Sequence, residues 1–147
     1  VRVVESENAP QIRASLNRLL MADEEAPWEP LGNRIVEVAE DAEETEVMRN
    51  PRGTFVAYVP IGSVAKGEEL VSTGGGKTIQ CGICHGPGQN GLADVPSIAG
   101  RTASYTMRQL WDMKQGTRVS PFMSAVIANL DAEDMLNIVA YLATLPP

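Results

Sequence analysis

The chain has 147 residues, enough for one domain with an elaboration but not for two independent cores, and aromatic residues make up only 5% of it. Nineteen Asp and Glu against twelve Lys and Arg leave a formal charge of −7, which excludes nucleic acid as a partner because nothing neutralises a run of phosphates. That balance favours a cationic partner surface and docking that weakens as salt rises, and no apolar run approaches the length of a transmembrane segment.

Residues 8–22 predict an amphipathic helix: Asn8 caps, Gln11 takes the capping-box position, and Ile12, Leu16, Leu19 and Leu20 share one face. So narrow a stripe packs against the body of the protein or forms half of a homodimer contact. The prolines of Ala26-Pro27-Trp28-Glu29-Pro30-Leu31-Gly32 break the helix and keep the chain extended. Asn33 to Ala39 alternates, and Thr54 to Pro60 is β-branched and aromatic, so the two predict a small two-stranded element. The acidic run Glu40 to Glu46 between them reads as a solvated connection.

Ser63 is a cap for a helix over Val64 to Val71, in which Gly67 costs about 1 kcal/mol relative to alanine and so implies a tertiary reason. Ser72 to Lys77 predicts a flexible glycine turn. Gly76-Lys77-Thr78 is not a phosphate-binding loop, because Val71 stands where that motif needs its first glycine.

Cys81-Gly82-Ile83-Cys84-His85 follows. Two thiols separated by two residues, with histidine next, suit covalent haem attachment: on a short helical turn both sulfurs lie on one side while the imidazole points at the iron. A redox dithiol or a metal site is the alternative. Zinc would need carboxylates, because the chain has only these two cysteines and one histidine, and a thioredoxin-like dithiol would need a βαβ frame, whereas glycine-rich turns flank the motif. A haem would add the large apolar body that so few aromatics leave wanting.

Gly86 to Gly100 is irregular and suits backbone laid over a flat cofactor. Thr102 caps a helix to about Gln115, with Tyr105, Leu110 and Trp111 inward and Gly116 ending it. Asp131 caps the last helix, Asp134 takes its capping-box position, and Met135, Ile138, Val139 and Leu142 form its stripe before Pro146.

From Lys66-Gly67-Glu68-Glu69-Leu70 through the cysteine motif, Pro96-Ser97-Ile98-Ala99-Gly100, Tyr105, Gln109-Leu110, Gly116-Thr117-Arg118, Met123 and Asp134 to Tyr141-Leu142, the order of features resembles a bacterial class I cytochrome c of the short-chain, monohaem, periplasmic type. The resemblance covers roughly residues 62–147, and residues 1–61 read as an N-terminal extension holding a helix and the small β element. It implies a mainly α fold of helices around one haem c, attached through Cys81 and Cys84 with His85 on the iron. It also implies that the Pro96 carbonyl, eleven residues beyond His85, meets the second ring nitrogen, and that Gly67 lets the first and last helices cross against Tyr141 or Ala140. Arg101 is then the candidate propionate partner, with Tyr105 and the Trp111 indole behind it.

One histidine precludes a bis-histidine haem within the chain, leaving methionine, another donor, water or nothing for the sixth position. Of six methionines, Met107 and Met113 fall in the third helix, Met135 on the last stripe, and Met21 and Met48 in the front segment. Met123 sits in a loop after Pro121-Phe122, where the family places its distal ligand. The resemblance implies a soluble periplasmic electron carrier, its leader cleaved or removed, that works between a donor dehydrogenase and an acceptor oxidase or reductase. It is then not an enzyme, though it fits an electron-accepting subunit of a dehydrogenase complex. Two other readings stay open: a ligand-binding or peroxidatic haem protein with a labile sixth position, and a module whose 8–22 helix does the work.

Overall fold

The computed structural model, which describes residues 1–14 and 20–147, forms seven short strands among them, the longer ones rich in valine. They are β1 (Arg2–Glu5), β2 (Asn8–Ala9), β3 (Ile12–Ala14), β4 (Leu20–Ala22), β5 (Glu29–Pro30), β6 (Val36–Ala39) and β7 (Phe55–Val59). β7 is the middle of a three-stranded sheet, parallel to β1 with Val3 opposite Ala57, and antiparallel to β6 with Val38 opposite Val56. Alternation along β7 sends Ala57 one way, into the helical core with Val3, and Tyr58 the other way, onto Ala9, Leu31, Val36 and Val38. Trp28 meets Tyr58 edge-on, with ring centroids 5.3 Å apart. The two alternating segments thus pair, and β1 adds a third strand that local patterning did not announce.

The helix expected over residues 8–22 is not formed where the chain is described. Asn8–Ala9 pairs with Glu29–Pro30, and Ile12–Ala14 pairs antiparallel with Leu20–Ala22, closed by the Asp23 amide on the Gln11 carbonyl at 2.8 Å. Pro10 contributes by biasing Ala9, which is fully buried, to extended backbone. Ile12 is 46% exposed, so it lies on no buried stripe, while Leu16 and Leu19 fall outside the described residues. The helical stripe from which the dimer contact and the helical module were read is thus not present among the described residues. The fold is mixed helix and sheet rather than mainly α.

Five helices follow: α1 (Ser63–Thr73), α2 (Gly82–His85), α3 (Ala103–Gln115), α4 (Pro121–Val126) and α5 (Ala132–Thr144). α1 and α5 cross at Gly67, where a β-carbon would stand 1.9 Å from the Asn137 carbonyl oxygen and 2.9 Å from Tyr141 Cβ. Only glycine lets two backbones come so close. Met135, Ile138, Val139 and Leu142 of α5 are buried in the core that this crossing builds, and the Asp131–Asp134 capping box is formed in both directions.

Two helix starts are capped from the sheet. Ser63 does not cap α1 but is buried within it, and the Val64 amide donates instead to the Glu5 carboxylate of β1 at 2.9 Å. Thr102 occupies the cap position of α3 without a side-chain bond, and Glu37 of β6 accepts from the Ala103 amide at 3.0 Å, the Ser104 amide at 3.1 Å and the Ser104 hydroxyl. A carboxylate at a helix N-terminus satisfies orphan amides and faces the positive end of the dipole. Glu37→Ala should therefore lower stability by about 1–2 kcal/mol in urea unfolding, the usual cost of a lost cap; an unchanged midpoint would show that the contact carries nothing.

The start of α5 sets a pH response. The Asp131 carboxyl is held below the ordinary carboxylate range, first by the Asp134 amide that it accepts and then by Lys77. The Lys77 ammonium is pushed up, first by its hydrogen bond to Asp134. A depressed carboxyl stabilises the fold above its unfolded pKa and is lost as pH falls through the folded value, whereas the raised ammonium is lost only at alkaline pH. Asp131→Asn, which keeps a capping oxygen but not the charge, should flatten the acid limb of a stability–pH curve by lowering neutral stability toward the acid value, with little change at pH below the folded value.

Candidate haem-attachment site

Cys81 enters α2 with its amide on the Val71 carbonyl of α1 at 3.0 Å, and its own carbonyl accepts from the Cys84 and His85 amides at 3.2 and 2.9 Å. The result is a single turn. Both thiols are free: Cys84 is exposed, while Cys81 is half-buried, and burial pushes its thiol up. His85 is buried, at 7% exposure, with Nδ1 2.8 Å from the Pro96 carbonyl oxygen. A carbonyl only accepts, so Nδ1 carries the proton and Nε2 keeps a lone pair for a metal.

Pro96 is held by the loop that returns from the turn. The Gly91 amide donates to the His85 carbonyl at 2.8 Å, Leu92 and Val95 exchange amide bonds at 3.1 and 2.9 Å, and the Ile98 and Ala99 amides both donate to the Gln89 carbonyl. Gln89 is buried at a positive φ of 64°, unusual for a residue with a side chain. Sequence reasoning missed it. The run Gly88-Gln89-Asn90-Gly91 signals a turn, but not which residue adopts the left-handed conformation.

The second group of predicted residues is placed less uniformly. Arg101 Nε donates to the Ser97 carbonyl at 2.7 Å, and Arg101 and Tyr105 line one open cleft of about 570 Å³ with Ser97, Gly100 and Pro147. Leu110 is buried as expected, whereas Tyr105 and Trp111 are 50% and 44% exposed, on either flank of the buried Thr106–Leu110 stripe of α3. Met123 sits in the short helix α4 rather than in a loop, since Pro121 starts a turn of helix as readily as it breaks one. Its side chain is partly buried against the main core, as are Met107, Met113 and Cys81, whereas Met21 and Met135 are fully buried packing residues.

The glycine turn before the motif is pinned rather than free. Lys77 Nζ reaches the two Asp134 oxygens at 2.8 and 2.7 Å, and the Thr78 hydroxyl donates to the Val126 carbonyl at 2.6 Å. Gly74, at a φ of 82°, could not be replaced without a β-carbon 2.1 Å from the Thr78 carbonyl oxygen.

These residues fit a haem. The donor set is right: two unpaired thiols and an imidazole of fixed tautomer on one turn. Large apolar side chains from the motif, the following loop and the α3–α4 region, namely Ile83, Leu92, Trp111, Val119 and Phe122, are exposed at 44–87%.

No protein-family model matches the chain. It is 35% identical to cytochrome c4 of Pseudomonas aeruginosa over 50% of its own length and 37% of that protein's. It is 34% identical to the thiosulfate dehydrogenase electron acceptor of Stutzerimonas stutzeri over 56% of this chain and 40% of that one. The similarity is to class I cytochromes c. Among solved structures, reduced cytochrome c4 from Pseudomonas stutzeri superposes with a TM-score of 0.53 at 28% identity, covering 57% of this chain and 48% of that one. Thiosulfate dehydrogenase from Marichromatium purpuratum does so with a TM-score of 0.53 at 36% identity, covering 56% of this chain and 19% of that one. The chain spans between about a third and a half of the length of these curated cytochrome relatives. Haem binding and electron transfer are the chemistry they support, and no helix among the described residues is long and apolar enough to cross a membrane.

Proposed function

We propose that the chain is a periplasmic c-type cytochrome that passes single electrons between a donor dehydrogenase and an acceptor oxidase or reductase. One haem c would be held through Cys81 and Cys84, with His85 and Met123 supplying the donors to its iron and Arg101, Tyr105 and Trp111 serving its propionates. The observation that carries this reading is His85: a buried imidazole, oriented by the Pro96 carbonyl, on the same turn as two free thiols. Bound haem supplies a one-electron couple whose geometry is nearly the same in both oxidation states when imidazole and thioether hold it.

The protein's own part is to orient and to shield. Proton donation from Nδ1 to a carbonyl makes Nε2 the stronger donor, and an uncharged thioether favours the reduced metal. A chain with one histidine has no second imidazole to act as distal base, which disfavours the peroxidatic reading. We read residues 62–147 as the haem domain and 1–61 as an extension fixed to it by the Glu5 and Glu37 caps. Residues 1–61 hold twelve Asp and Glu against six Lys and Arg, and residues 62–147 seven against six. A cationic partner would therefore be drawn to the extension more than to the haem half. The similarity to the thiosulfate dehydrogenase electron acceptor favours a second form of the same reading, an electron-accepting subunit.

The test is an optical spectrum of the holoprotein, oxidised and reduced, with carbon monoxide added. A far-red charge-transfer band from a sulfur–ferric bond, with only slow uptake of the gas, supports the carrier. Ready binding by the reduced protein would point to a labile sixth position.

A further inference from the structure

The short helix that bears Met123 has little of its own to hold it. α4 is six residues long, Ser120 makes no side-chain cap bond, and none of its residues is buried. Isolated helices of that length are not stable, so the segment depends on outside contacts. Two side chains reach carbonyls at its last residue and in the turn that follows it. The Thr78 hydroxyl donates to the Val126 carbonyl at 2.6 Å, and Lys114 Nζ, near the end of α3, donates to the Ala128 carbonyl at 3.0 Å and to the Leu130 carbonyl.

We propose that Thr78 and Lys114 are positioning residues for Met123, holding its segment to the two parts of the chain that flank the site. The inference rests on the reading of Met123 as the sixth ligand. Thr78 is itself fixed, its amide on the Gly74 carbonyl at 3.0 Å, and it stands three residues before Cys81. One hydrogen bond thus ties the turn that leads into the attachment motif to the segment that carries the sulfur. A side-chain bond to a carbonyl restrains the backbone of that segment whatever residue occupies position 123, and local opening becomes easier when it is removed. Because a thioether is a weak ligand, the fraction of time the segment spends open sets how often the sixth position is available.

The experiment uses the full-length holoprotein with carbon monoxide as the probe. Thr78→Val keeps the shape and loses the donor; it should raise the rate of carbon monoxide uptake by the reduced protein about fivefold, the factor that one typical hydrogen bond carries. Thr78→Ser restores the donor and should return the rate to that of the parent. Lys114→Met should act in the same direction and serves if the Thr78 variant folds poorly. Amide exchange at Ile127, whose N–H donates to the Met123 carbonyl at 3.0 Å, should accelerate in step. A parent protein without the sulfur–ferric band would overturn the ligand assignment itself. A parent that has the band, with uptake and exchange unchanged in Thr78→Val and Lys114→Met, would overturn the positioning role alone, as would a Thr78→Ser variant as fast as the valine.

Discussion

Gly67→Ala should destabilise the protein by about 3 kcal/mol, the upper end of what overpacking an interior contact costs. The added methyl would stand 1.9 Å from the Asn137 carbonyl oxygen and 2.6 Å from its carbon, and these are backbone atoms in the middle of α5 that cannot swing aside. α1 and α5 must separate, and the buried face formed by Leu70, Val71, Met135, Ile138 and Val139 separates with them. Helix propensity pulls the other way, since alanine is favoured over glycine by about 1 kcal/mol in a helix interior. Urea unfolding of the holoprotein reads the difference. A variant as stable as the parent, or more so, would mean that the helices do not cross at this residue.

Met123→Ala should remove the far-red sulfur–ferric band, let the reduced protein bind carbon monoxide, and lower the reduction potential by on the order of 0.1 V, a fraction of the roughly 0.8 V over which axial ligation tunes haem. Folding should change much less, because Met123 is only partly buried and its segment is held through backbone carbonyls. Met107→Ala and Met113→Ala are the controls, as both side chains are also partly buried against the core and both lie on α3. Loss of the band in one of those, with Met123→Ala unaffected, would move the ligand to that sulfur.

Where sequence and structure agree, the signal is local. The capping box and stripe of α5 lie within thirteen residues, the glycine at position 67 marks a close approach, and the five-residue motif folds into one turn because its own amides close on Cys81. The pairing of His85 with the Pro96 carbonyl spans eleven residues and was legible only through resemblance to a family. What local patterning could not supply is everything that depends on a remote partner. Leucines at helical spacing suggested a helix over residues 8–22, but Pro10 and the partners Glu29–Pro30 and Leu20–Ala22 draw its described parts into strands. Ser63 and Thr102 look like caps, yet Glu5 and Glu37 reach those helix starts from 59 and 66 residues away. Lys77 ends a stretch whose pattern predicts a loose turn, and Thr78 follows it, because nothing beside them in the chain announces Asp134 or Val126.

Electron transfer by this chain requires one porphyrin held by two thioether bonds to Cys81 and Cys84. Intact mass of the purified, denatured and solvent-extracted protein tests that directly. The prediction is a coloured polypeptide heavier than its sequence by one haem, with Cys81→Ser/Cys84→Ser returned to the mass of the bare chain; a wild-type chain that loses all colour on extraction and shows the bare mass would contradict it.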